Sequence, residues 1–272
     1  MNPRYGKVEG GTSVTFTGTA FSATMGDYTI LIDKILCVVT EATSTSVTCT
    51  TGSRPGLHPS SLSIFISGKG LVSLKGQLFG YVMAWSSDIT WGGEFAPIEG
   101  DSVYVPAGLN LLVDVDSTPH LKAVIVEGSI IFAPETDATH HRTFDADYIF
   151  VNHGKMEVGT EEFPYTSHIT ITMHGTAEDP YLPTYGNKVL GVRHGNLDMH
   201  GPERIPVWTM LESTAEINST SITLQQAVDW VVGEEIAIAS TSYEAREAEQ
   251  RKIVAIDNSN PLKPVITLDR KL

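Results

Sequence analysis

Three stretches of the chain repeat one pattern of apolar and polar positions: Val124–Phe132, Ile149–Val158 and Leu190–Met199. Each is a short apolar run, then a polar turn ending in Gly, then a second run that alternates apolar with polar. Gly-punctuated, β-rich repeats about 20–25 residues apart predict stacked coils of a solenoid, because each coil buries its apolar face only against its neighbours. His168–Gly175 fits between the second and third stretches as an abbreviated copy. On this pattern Gly128, Gly154 and Gly195 mark equivalent turns, each expected to supply left-handed backbone. Val126, Val151 and Val192 are expected to form one buried β-branched ladder. The architecture predicted from the repeats is a parallel β-helix.

The first 80 residues carry a different rhythm. Gly10–Phe21 alternates apolar with hydroxyl side chains behind a Gly-Gly turn, which marks a half-buried strand. Tyr28–Ile32, Cys37–Val39, Ser46–Cys49 and Leu62–Ile66 follow as short strands between polar or Gly/Pro turns, a spacing that predicts an immunoglobulin-like sandwich. Cys37 and Cys49, the only cysteines, flank the turn Thr40–Thr45. They read as a cross-strand disulfide of an oxidising compartment, with two reduced buried thiols as the alternative.

The run Gly10–Phe21, then Cys37, then Val47–Gly52 resembles an IPT/TIG domain of the receptor type. Further along, the ordered set Ala84–Trp91, Pro97–Gly108, Leu111–Val115, the turn at Glu127-Gly128, Ala146–Ile149, Val158–Pro164, Leu197–Gly201 and Trp208 is similar to the G8 domain. IPT/TIG followed by G8 resembles the fibrocystin and fibrocystin-L type of very large ciliary or cell-surface protein. The expected division is 1–80 as an IPT/TIG domain, 81–210 as a G8 domain, and 211–272 as a truncated continuation of the β-helix. The expected fold class is all-β, a sandwich followed by the start of a right-handed parallel β-helix.

Charge divides along the chain. Residues 1–80 hold six Lys/Arg against four Asp/Glu, and residues 81–272 hold twelve against twenty-eight. The acidic part repels nucleic acid, anionic lipid and acidic polysaccharide, so nucleic-acid binding is excluded at this stage. No stretch approaches the roughly 20 apolar residues of a membrane span, so no membrane insertion is expected. Met1–Tyr5 runs straight into turn sequence and Val265–Asp269 reads as a strand close to the last residue, so the chain is expected to belong to a longer one.

The histidines and acids are the candidate chemistry. His140 and His141 lie in the loop 134–142 beside Arg142; adjacent imidazoles diverge on extended chain, which suits a solvated loop better than a metal. His153 and His194 take the same place in two repeats, just before the turn Gly. His174 and His200 match each other likewise. Asp114 with Asp116, and Asp145 with Asp147, share strand faces by period-two alternation. Such pairs have the separation a glycosidase needs but lack an evident environment to protonate one member. Calcium is the cofactor the acidic residues would suit; otherwise no cofactor is expected. G8 domains also occur in proteins that depolymerise or bind hyaluronan, and the resemblance implies a basic residue where this chain has Asp145. Arg142 and Arg193 remain as a local basic spot. Asn218-Ser219-Thr220 is an N-glycosylation sequon in a polar turn.

The reading leans non-enzymatic: a spacer and recognition surface for a protein or glycan ligand, in an extracellular or cell-surface location that includes the ciliary membrane. A hyaluronan-binding or hyaluronan-depolymerising domain is the alternative. The candidate binding surface is His140, His141, Arg142, Asp145, Asp147, His153 and His194.

Overall fold

The structure, a computed structural model, describes residues 1–54, 61–74, 79–135 and 137–272. It is all-β, with three short 3-10 turns, and divides into two compact units, Met1–Gly201 and Pro202–Leu272.

The first unit begins with β1 (Tyr5–Lys7), β2 (Ser13–Thr17), β3 (Tyr28–Ile32), β4 (Ile35–Ala42), β5 (Ser46–Thr50), β6 (Leu62–Ile66) and β7 (Gly70–Leu71). Strands β2 to β7 pair antiparallel in the order β2-β5-β4-β3-β6-β7. Strand β4 serves two partners: Ile35–Cys37 pair with β3, and Val38–Ala42 pair with β5. The alternation read from the sequence places Val14, Phe16, Ile30, Ile32, Val47, Ile64 and Ile66 in one buried core. Cys37 and Cys49 lie inside it, disulfide-bonded with a Cα separation of 5.5 Å, and so tie the β3-paired half of β4 to β5.

The chain then alternates between two parallel sheets. β8 (Gly80–Ala84), β10 (Asn110–Val113), β12 (Ser129–Phe132), β14 (Lys155–Val158) and β17 (Asn196–Met199) stack in that order, with β1 on the outer side of β8. β9 (Ser102–Val105), β11 (Leu121–Val126) and β13 (His141–Asn152) form the facing sheet, and β13 carries both β15 (His168–Met173) and β16 (Val189–Arg193) on its far side. The registers line up like side chains: Leu111, Ile130 and Met156 on one sheet, Val103, Val124 and Ile149 on the other. These residues fill a continuous apolar core closed at its start by Trp85, which packs edge-on against Trp91 and Phe144.

Four expectations change. His168–Gly175 is not a further copy: β15 pairs with His141–Ala146 and β16 with Tyr148–Asn152, so the two together complete one rung beside a single long strand. Val126 and Val151 are fully buried, but Val192, in register with Val151, is 38% exposed because β16 has a strand on one side only. The corner glycines are not left-handed. His153 and His194, just before them, take the positive φ (61° and 50°), a conformation in which His is over-represented among non-Gly residues. Gly is required for another reason. A methyl at Gly154 would lie 2.5 Å from the carbonyl oxygens of Gly128 and Val126, and one at Gly195 would lie 2.6 Å from that of Gly154. Each corner rests on the backbone of the corner before it. Gly154→Ala is therefore expected to lower stability by about 1–3 kcal/mol, the usual cost of overpacking. Gly26→Ala, where a methyl meets nothing within 4 Å, is the control in the same urea titration.

The fourth change concerns 211–272. β18 (Ser221–Thr223), β19 (Glu235–Ile238), β20 (Glu249–Asp257) and β21 (Val265–Leu268) pair antiparallel in the order β18-β21-β20-β19, where further coils would add parallel rungs. Ile222, Leu224, Ile253, Ile266 and Leu268 give this second unit its own small core.

Candidate functional site

Strand β13 positions most of the candidate residues. Its alternation turns Phe144 and Ala146 into the core and Thr143 and Asp145 outward, then slips at Asp147-Tyr148 so that Ile149 and Val151 face inward. β11 slips in step, with Leu121 and Val124 inward, and this leaves Lys122 beside Asp147 on the outer face.

Two acid–imidazole pairs form there. His120 Nε2 lies 2.6 Å from Asp147 Oδ1, Lys122 Nζ lies 3.0 Å from Asp147 Oδ2, and His174 Nε2 lies 2.8 Å from Asp145 Oδ1. Glu99 approaches the other nitrogen of His120 at 3.3 Å, and the His120 and His174 rings sit 4.3 Å apart. Burial pushes the Asp147 carboxyl up, but hydrogen bonds from Lys122 and His120 outweigh it and hold the group below the usual carboxylate range. The hydrogen bond to Asp147 raises the His120 imidazole, against a smaller opposing effect of burial. Asp147 is thus kept ionised, the reverse of what the general acid of a glycosidase requires.

A histidine whose folded pKa is raised contributes stability that is complete below its unfolded value, about 6.5, and that is lost as pH rises through the folded value. Melting temperature is expected to fall as pH is taken upward from 6, and His120→Gln is expected to flatten that slope. An unchanged slope in the variant would show that the His120–Asp147 contact does not titrate with folding.

The other candidates are strung along the strand rather than gathered. His140 meets Asp116 at 3.0 Å, and His141 is exposed with its Nε2 2.7 Å from Thr170 Oγ1. His153 and His194 stack at the opposite end, with ring centroids 5.1 Å apart. A twelve-residue strand separates the two histidine groups by about 40 Å at 3.3 Å per residue. Thr136, in the loop 134–142 singled out from the sequence, lies outside the described residues. Asp114 and Asp116 part company: Asp114 accepts hydrogen bonds from the backbone and hydroxyl of Ser86, at 2.9 and 2.7 Å.

Arg142 is the correction among the candidates. It is fully buried, not part of a binding surface. Its guanidinium donates to Glu135 Oε1 at 2.6 Å and to the Val115 carbonyl, and Nε lies 3.4 Å from the Tyr165 hydroxyl. Inward alternation with Phe144 and Ala146 puts it at the end of the apolar core, where a guanidinium needs such partners.

His120 and Lys122 were not anticipated as site residues. Their alternation around Leu121 was visible in the sequence; the strand they face was not. Among the described residues no group of three or more His, Cys, Asp or Glu is arranged to hold a metal ion, and no helix is long and apolar enough to cross a membrane.

Residues 1–81 match the IPT/TIG domain family and residues 90–212 match the G8 domain family. The chain carries an IPT/TIG domain followed by a G8 domain. Human fibrocystin-L is 35% identical over 272 residues, a match that covers 96% of this chain and 6% of fibrocystin-L. Mouse fibrocystin is 26% identical over 244 residues, covering 89% of this chain and 6% of its own length. Protein rliB of Dictyostelium discoideum is 26% identical over 180 residues, which cover 63% of this chain and 16% of rliB. The chain therefore spans a small fraction of the relatives it matches. The parallel strands from β9 to β17 and the His120–Asp147 and His174–Asp145 pairs fall within the G8 match, and the disulfide falls within the IPT/TIG match.

Proposed function

We propose that this chain is a non-enzymatic ectodomain module of a large cell-surface or ciliary protein of receptor or adhesion type, acting as spacer and recognition surface. In this reading residues 1–80 are the IPT/TIG domain and 81–210 the G8 domain, built as the start of a right-handed parallel β-helix. The support for the β-helix is the alternation of the chain between two parallel sheets with registered core positions. The disulfide fits an oxidising, extracellular setting. Asn218, exposed in the turn before β18, is the proposed N-glycan site.

The observation that carries the non-enzymatic reading is the closure of the outer-face carboxylates. Asp145 and Asp147 are each engaged by an imidazole, and Asp147, held below the usual carboxylate range, is engaged also by Lys122. The competing reading, action on hyaluronan, draws on the same two acids standing two residues apart. A glycan array and a pull-down from extracellular proteins, with the recovered ligand analysed by mass, separate the two. Saturable retention of an unaltered ligand is the expected result. Recovery of a shortened or chemically changed ligand would replace this reading with the enzymatic one.

A further inference from the structure

Strand register builds a second feature on the outer face of the G8 sheet, beyond the acid–imidazole pairs. Tyr104 on β9, Ile125 on β11 and Phe150 on β13 are register partners, and the next position, on β16, is Gly191. The loop between β15 and β16 lays Tyr185 over that gap: its ring centroid is 4.8 Å from that of Phe150, and a methyl on Gly191 would press on both rings at 3.2 and 3.4 Å. Four successive rungs thus present one line of aromatic and branched side chains. It is open at its β9 end, where Tyr104 is 58% and Ile125 40% exposed. The row beside it is polar: Glu127 just past the end of β11, Asn152 on β13 and Arg193 on β16, each two residues further along the chain. Glu127 already accepts from the Tyr104 hydroxyl at 2.6 Å and from Asn152 Nδ2 at 3.2 Å, which fixes both rows relative to each other.

We propose that this line is a binding platform for an uncharged oligosaccharide lying across the rungs; the assignment rests on the recognition-module reading above and names its ligand class. A pyranose ring has an apolar C–H face and a rim of hydroxyls. It needs an exposed ring or branched side chain beneath it and donors and acceptors at its edge, which is what the two adjacent rows supply. Neighbouring parallel strands lie about 4.8 Å apart, so Tyr104 and Phe150, two strands apart, are spaced by about 10 Å, close to the length of one disaccharide. A protein partner fits less well, because a stable protein interface has a broad apolar centre and this row is one residue wide. An acidic polysaccharide fits less well still: the chain carries a net charge of −14, and Glu127 stands in the polar row.

The test is affinity electrophoresis and titration calorimetry of this chain with a panel of soluble neutral polysaccharides (a β-glucan, a mannan and a galactan), with hyaluronan as the acidic arm. Retardation by at least one neutral polysaccharide is expected, at least tenfold weaker for Tyr104→Ala and retained by Tyr104→Phe, which keeps the ring and loses the hydroxyl. Tyr104 is exposed enough that the Ala variant is expected to melt with the parent. Ile125→Thr, which thins the line without touching an aromatic ring, is expected to weaken binding as well. Absence of retardation by every neutral polysaccharide overturns the proposal, as does retardation that Tyr104→Ala leaves unchanged or a preference for hyaluronan. A protein ligand recovered unaltered while no glycan binds would sink the platform and leave the recognition-module reading standing.

Discussion

Replacing Arg142 with Ala is expected to lower stability by about 3–5 kcal/mol, the scale for breaking a buried charged pair. The substitution strips the donor from Glu135, from the Val115 carbonyl and from the Tyr165 hydroxyl, and leaves a cavity at the end of the apolar stack. Arg142→Met separates the two contributions, because it restores most of the volume and none of the donors. Met is expected to recover part of the loss, since apolar replacements of buried charges are often tolerated when the volume is kept. Urea titration monitored by tryptophan fluorescence reads the result, with Trp85 packed on Phe144 in the same core. A loss below 1 kcal/mol for the Ala variant would mean that the guanidinium reaches water, and would return Arg142 to the binding surface.

The double substitution Cys37→Ser, Cys49→Ser is expected to cost about 2–5 kcal/mol, the range for removing a native disulfide from a small domain. Loop closure over a separation of 12 residues accounts for about 3 kcal/mol of this in the chain-entropy picture, which is model-dependent. Both cysteines are buried, so the hydroxyls of the replacements also enter an apolar core without provision for hydrogen bonds. Thermal melting with and without reductant checks the prediction: the parent should melt lower in reductant, and the variant should not respond. Two titratable thiols in the unreduced parent, with melting insensitive to reductant, would contradict it.

The rungs were legible because every coil meets the same packing demand at its corner, and the demand recurs as Gly128, Gly154 and Gly195. What misled was the mechanism: the left-handed residue is His153 or His194, and the glycine is there because the backbone of the preceding corner leaves no room for Cβ. Pairing direction was not legible. Ile222-Thr223-Leu224 and Val265–Leu268 have the strand composition of the rungs, yet they pair antiparallel, since direction is set by the connections and not by the residues within a strand. Arg142 follows two histidines and so read as solvated, although its parity with Phe144 and Ala146 pointed inward. Of the site, Asp145 and Asp147 were legible as one acidic pair; their partners were not, because His120, Lys122 and His174 reach them only through register with β11 and β15.

The central claim, that the outer-face acids of the G8 domain are closed and non-catalytic, is tested most directly by incubating this chain with high-molecular-weight hyaluronan, with and without calcium, and measuring polymer length. The expected result is a size distribution identical to that of the buffer control in both arms. Calcium-dependent shortening that Asp145→Asn or Asp147→Asn abolishes would contradict it, and would mean that His120, Lys122 and His174 yield these carboxylates to a cation during turnover.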